Sequence, residues 1–196
     1  MATYSYVVDV ERFCLAEPQV SAKGVKAAQL KIDNEAVYWL PEPMEVAFDP
    51  RSYDGSDQAR VSLCLLASDG VAAQLANIDD AIVKLAALHS TALFGKTLSP
   101  DTVRAIYSPM LYQKGSYPAM LRPKLILTGR NQTKYWDEKT KKPLETPADW
   151  KGRKVSARLL LKGLWFQGST FGVSVEVTDA LVGDRTGLTS VCPWGA

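Results

Sequence analysis

Lys154 to Gln167 reads KVSARLLLKGLWFQ and Phe171 to Val182 reads FGVSVEVTDALV, with Gly168-Ser169-Thr170 between them. Two long runs rich in apolar and β-branched residues around a short turn-forming triplet predict a β-hairpin. Side chains alternate across a strand, so Lys154, Ser156, Arg158, Leu160 and Lys162 share one face, and Val155, Ala157, Leu159 and Leu161 share the other. One face of the first strand is therefore apolar and the other largely cationic. Gly163 interrupts the alternation, and a bulge there would re-aim Trp165.

Working outward, Leu121 to Arg130 (LRPKLILTGR) repeats the pattern, with Arg122, Lys124, Ile126 and Thr128 opposite Leu125 and Leu127. Lys134 to Asp137 (KYWD) reads as a short strand, and the basic, proline-bearing stretch from Thr140 to Pro147 as a mobile loop. Nearer the N-terminus, VKAAQLKI (25–32) and AVYWL (36–40) flank Asp33-Asn34-Glu35 as a hairpin that Pro41 and Pro43 end. Pro50 and an Asp54-Gly55 turn precede RVSLCLLA (60–67), a mostly apolar run that fits a buried strand.

Between these strands the period changes. Val71, Leu75, Ile78, Ile82 and Leu85 recur every three or four residues, which predicts one face of a helix capped by Ser68 or Asp69 and ended by Gly95. His89 falls near its end and reads as a capping or packed residue. Ser99-Pro100-Asp101 opens a second helix, which Ser108-Pro109 stops. Strands, a helical insertion over about 69–107, then strands again suit an α+β, mainly β domain or a small curved barrel with helices between two of its strands. Residues 1–182 form one domain on this reading, and 183–196 an arm or disordered tail.

The 196 residues carry 23 Lys+Arg against 21 Asp+Glu, but the charge is unevenly placed. Met120 to Lys162 holds twelve basic and four acidic residues, net +8, which leaves net −6 elsewhere. A cationic region on an anionic body suits a polyanion held on one face. Three cysteines without C-x-x-C spacing exclude a zinc finger and fit a reducing, cytoplasmic setting. With a single histidine, no P-loop, no dinucleotide fingerprint and no nucleophile elbow, the chain offers no catalytic or metal constellation and implies no cofactor. Asp79-Asp80 diverge on the helix and read as solvent-facing. No run is apolar and long enough to span a membrane.

Tyr112, Tyr117, Tyr135, Trp136, Trp150, Trp165, Phe166 and Phe171 interleave with these cations. Unpaired nucleic acid exposes both phosphates and base faces, so lysine and arginine along a groove with rings for stacking suit it. The candidate DNA-binding residues are Arg122, Lys124, Arg130, Lys134, Arg158 and Lys162 for phosphates, with Tyr135 and Trp136 for stacking. Trp165, Phe166 and Phe171 are expected in the core, and Lys139, Lys141 and Lys142 to make loose contacts from the loop.

Leu93-Phe94-Gly95 after a helix, Tyr107-Ser108-Pro109 at a helix exit, SYPAMLRPKL over 116–125, Gly163-Leu164-Trp165-Phe166 and Phe171-Gly172 together resemble single-stranded DNA-binding proteins of phages and large DNA viruses. The resemblance spans roughly Gly24 to Val182. It implies an OB-fold with helices inserted in the barrel and a non-enzymatic protein, inside a host cell, that coats and protects single strands during replication or recombination. Single-stranded DNA is the implied partner, with RNA as its variant; replication or recombination proteins and further copies of the chain are compatible partners. Several such phage proteins end in an acidic tail with a terminal aromatic, whereas the stretch after Gly183 here has Asp184 as its one acid and reads VCPWGA over 191–196, so partner recruitment through the tail is not expected. A viral structural protein with a basic, nucleic-acid-facing surface is the alternative reading.

Overall fold

Asp33 and Asn34 both adopt left-handed backbone (φ 49° and 65°), forming a two-residue turn that joins β1 (Lys26–Ile32) to β2 (Glu35–Trp39). The computed structural model describes residues 4–5, 7–22, 24–51 and 59–185. Past Pro41 and Pro43 the chain enters β3 (Met44–Arg51), which pairs antiparallel with β4 (Arg60–Leu66). The expected Asp54-Gly55 turn lies outside the described residues. Leu63 and Leu65 on β4 are fully buried, as its apolar run predicts.

The helical insertion follows. α1 (Asp69–Leu88) starts where the Ser68 hydroxyl accepts the Val71 N–H, and it buries Val71, Leu75, Ile78 and Ile82. The helix read as running on to Gly95 breaks at His89, which closes α1 and opens α2 (Ser90–Phe94); Gly95 then ends α2 in the left-handed conformation. α3 (Pro100–Ile106) is capped by Ser99 with Pro100 in its first turn. Asp80 is exposed and pairs with Arg104, but Asp79 is only 5% exposed, which corrects its solvent-facing assignment. The buried stripe of α1 includes Ile78, Asp79, Ile82, Val83 and Ala86, because Tyr107 and Met110 cross it where water was expected.

The stretch 121–130 is not one strand. Met120–Leu121 pairs with β4 and with Leu111–Tyr112, and β5 (Lys124–Ile126) resumes after Arg122-Pro123, where proline has no N–H to give the ladder. β6 (Lys134–Asp137) pairs with Pro143–Leu144, so the stretch expected to be a mobile loop carries a short strand of its own. β7 (Arg153–Gln167) and β8 (Thr170–Arg185) form the long hairpin. β8 continues through Arg185, so the tail boundary expected at 183 is too early, and residues from 186 onward lie outside the described set.

Five strands close on themselves. β3 pairs with β4, β4 with β5, β5 with β8 and β8 with β7, and β7 returns to β3 through Lys154 opposite Glu45 and Val155 opposite Met44. β5 and β8 run parallel and the other four contacts are antiparallel. The result is a mainly β, OB-like closed barrel with the helices inserted between β4 and β5. Its interior holds Val46, Leu63, Leu65, Leu125, Val155, Leu159, Leu161 and Val177, in one core with the buried face of α1. β1 and β2 extend the sheet from β7, and the Trp39 indole N–H donates to Gln74 Oε1 at 3.0 Å, fastening β2 to α1.

Candidate nucleic-acid interface

Strand alternation builds the site. Arg158, Leu160 and Lys162 point away from the core, and pairing puts Leu160 beside Tyr38 of β2 and Glu176 of β8, with Glu176 next to Lys124 of β5 and Lys124 next to Ser62 of β4. Ser62, Lys124, Glu176, Leu160 and Tyr38 thus form one row across the outside of the barrel. The register shifts between Leu161 and Gly163, so the outward positions change parity and Trp165 and Gln167 continue on the same face as Lys162. Only glycine fits at 163. Its φ is +149°, and a Cβ there would lie 2.2 Å from the Ala28 carbonyl oxygen. Trp165 packs against Gly172, whose added Cβ would meet the indole at 2.6 Å.

Three adjoining depressions run along this face, of about 560, 270 and 300 Å³. The first joins the second through Arg60 and Glu176, and the second joins the third through Arg130, Lys162 and Glu176. Among the described residues the trough is lined by seven cations, Arg60, Arg122, Lys124, Arg130, Lys134, Arg158 and Lys162, against two carboxylates, Glu176 and Asp179. Several cations are held in place. The Lys124 ammonium donates to Ser62 Oγ at 2.7 Å, and Lys162 pairs with Glu176 at 2.7 Å. Arg158 donates to Thr178 Oγ1, pairs with Asp179 at 2.7 Å and stands 5.0 Å from the Tyr38 ring. At the other end the Arg122 guanidinium stacks 3.3 Å above the Tyr112 ring. Arg60, Arg130 and Lys134 are exposed.

All six cations predicted for phosphate contact therefore lie along one trough. The predicted stacking rings fare differently. Tyr135 is 5% exposed and packs edge-on against Trp150 at 5.6 Å, so it offers no ring to a ligand; on β6 it is the residue that alternation turns inward. Trp136 is half-buried, donates its indole N–H to Asp179 Oδ1 at 3.1 Å, and borders a further depression with Lys134, Pro143 and Leu144. Phe171 is buried as expected, with Phe166 packed against the core, but Trp165, also expected there, faces the trough. Lys139, Lys141 and Lys142 are all exposed, and Lys139 pairs with Asp184 at 2.6 Å.

Sequence reasoning missed Arg60 and Tyr38, which belong to strands outside the basic segment, and misplaced Trp165. The Gly163 bulge was the available signal for Trp165. One wall of the first depression, Ser108-Pro109-Met110, is set by the buried Asp79, which accepts the Tyr107 hydroxyl proton and the Met110 N–H. Burial raises the Asp79 pKa to about 6 and pushes the Tyr107 hydroxyl above its ordinary range. Among the described residues no cluster of His, Cys, Asp and Glu could hold a metal ion, and no helix is long and apolar enough to cross a membrane.

The barrel and its outer trough define the class: an OB-like fold with a cationic groove. No protein-family model matches the chain, and no curated protein matches it in sequence. Among solved structures, it is similar to the single-stranded DNA-binding protein from bacteriophage Enc34, at 12% identity over 91% of this chain and 96% of that one, with a TM-score of 0.47. A C-terminal truncation of that protein matches at 13% identity over 89% and 97%, TM-score 0.46. The same phage protein in complex with single-stranded DNA matches at 11% identity over 94% and 99%, with a TM-score of 0.43.

Proposed function

We propose that this chain binds single-stranded DNA in the outer trough of its barrel without requiring a fixed sequence. The observation that carries this reading is the convergence of seven cations from β4, β5, β6, β7 and the segments flanking β5 onto one continuous face that also holds Tyr38, Tyr112 and Trp165. Phosphates release counterions when they meet such a face, and bases stack on its rings. A duplex hides its base faces, so the rings favour an unpaired strand. Coating exposed strands and shielding them from nucleases, in replication or recombination, is the biological setting that matches this chemistry. The experiment is a titration of tryptophan fluorescence with oligo-dT and with duplex over a salt series. Quenching by the single strand, with affinity falling steeply as salt rises and weak duplex binding, is expected. Equal affinity for both forms, or no binding at low salt, would falsify the reading.

A further inference from the structure

Of the two carboxylates that line the trough, Asp179 borders only the third depression, and Glu176 is the one that a phosphate chain meets along the whole path. It borders all three depressions, its side chain is 11% exposed, and register fixes it between Lys124 and Leu160 at the centre of the cross-barrel row. A phosphate laid over this point meets a like charge that a β-strand backbone holds in place. Lys162 pairs with Oε1 at 2.7 Å, but an ionised carboxylate offers about four acceptor positions, and one ammonium does not use them all. The cations stand around it: Arg122 and Arg60 towards one end, Arg130 and Lys134 towards the other. A strand whose phosphates follow these cations would turn its base edges to the floor.

What the floor then offers is an acceptor. Cytosine presents an N4 amino group and adenine an N6 amino group, and both donate to a carboxylate. Uracil and thymine present O4 at the corresponding place, which sets lone pair against lone pair. We propose that Glu176 is a specificity-determining residue of the strand-binding trough, accepting hydrogen bonds from amino-bearing bases and disfavouring those with a carbonyl at C4. This rests on the reading of the trough as a single-strand site and adds a graded base preference to it.

The test compares oligo-dC with oligo-dU of equal length at pH 8, where cytosine is unprotonated, at one salt concentration. The two bases differ only in the groups at C4 and N3. The wild type is expected to bind oligo-dC about tenfold more tightly, the size of one hydrogen bond to a charged group. Glu176→Gln, whose amide both donates and accepts, should bring the ratio to within about twofold. Lys162→Gln keeps the carboxylate while removing its partner, and should weaken binding to both oligonucleotides yet preserve the preference. Equal wild-type affinities, or a preference abolished as fully by Lys162→Gln as by Glu176→Gln, would overturn the assignment and make Glu176 only half of a structural ion pair. Failure of both oligonucleotides to bind at low salt would instead overturn the single-strand reading, and this assignment with it.

Discussion

Trp165 and Tyr135 are both rings on β-strands with lysines close by in sequence, and the barrel treats them in opposite ways. On β7 the bulge at Gly163 switches which residues face outward, and Gly172 on the neighbouring strand leaves room for the indole, so Trp165 lines the trough. On β6 no such switch occurs: Tyr135 turns into the core against Trp150, while Lys134 before it stays in water. Residue type and charged neighbours are alike in the two places. The parity of each strand relative to the core decides which ring a ligand can reach.

The largest effect should come from removing the switch. Gly163→Ala drives a Cβ into the Ala28 carbonyl and strains the backbone, at a cost of about 3–5 kcal/mol, read as a lower denaturant midpoint. An unchanged midpoint would mean that the bulge does not depend on glycine.

Next comes the pair of rings themselves. Tyr135→Ala should lose about 3 kcal/mol of stability, with the affinity of the remaining folded protein for oligo-dT unchanged. Trp165→Ala should do the reverse, folding normally and weakening oligo-dT binding by about 1–3 kcal/mol. Trp136→Ala should weaken binding less than Trp165→Ala, because its indole N–H is committed to Asp179. If Tyr135→Ala and Trp165→Ala affected binding equally, the contrast between the two strands would be lost.

A third outcome concerns the wall next to Trp165. Burial raises the Asp79 pKa from 3.8 to about 6, so the folded state holds this proton more tightly than the unfolded chain does. The associated stability is fully present below pH 3.8 and is lost as pH rises through about 6, by about 1–3 kcal/mol. Asp79→Asn can still accept from Tyr107 and Met110 and should flatten that part of the pH–stability curve, measured by urea unfolding between pH 4 and 8. An equally steep curve in the variant would assign the dependence to another group.

The smallest effect is one of slope. Arg130→Ala combined with Lys134→Ala should reduce the dependence of log affinity on log salt by about 1.4, the value for two lost contacts on a single strand. An unchanged slope would place those two cations outside the path of the strand.

The barrel's strands were legible because periodicity is local. The 154–182 hairpin, the apolar run of β4 and the α1 stripe at 71, 75, 78 and 82 all show their buried faces in the order of residues. The six cations were legible for the same reason, since each lies in or beside a strand whose other face is apolar. Asp79 was not, because the groups that bury it, Tyr107 and Met110, arrive from a segment about thirty positions later. Arg60 and Tyr38 were not, because the pairing of β4 with β5 and of β2 with β7 brings them to the basic face from outside the basic segment.

The order of residues by itself determined the long hairpin, the apolar run of β4, the helical insertion with most of its buried stripe, and that positive charge gathers in one stretch, since these follow from side-chain spacing along a single segment. Only the tertiary structure decided that β7 closes onto β3, that Glu176 stands at the centre of the trough and that Trp165 rather than Tyr135 looks outward. Each of these depends on which distant strand lies alongside and in what register, and strand register is settled by the packing of the whole barrel rather than by any one segment.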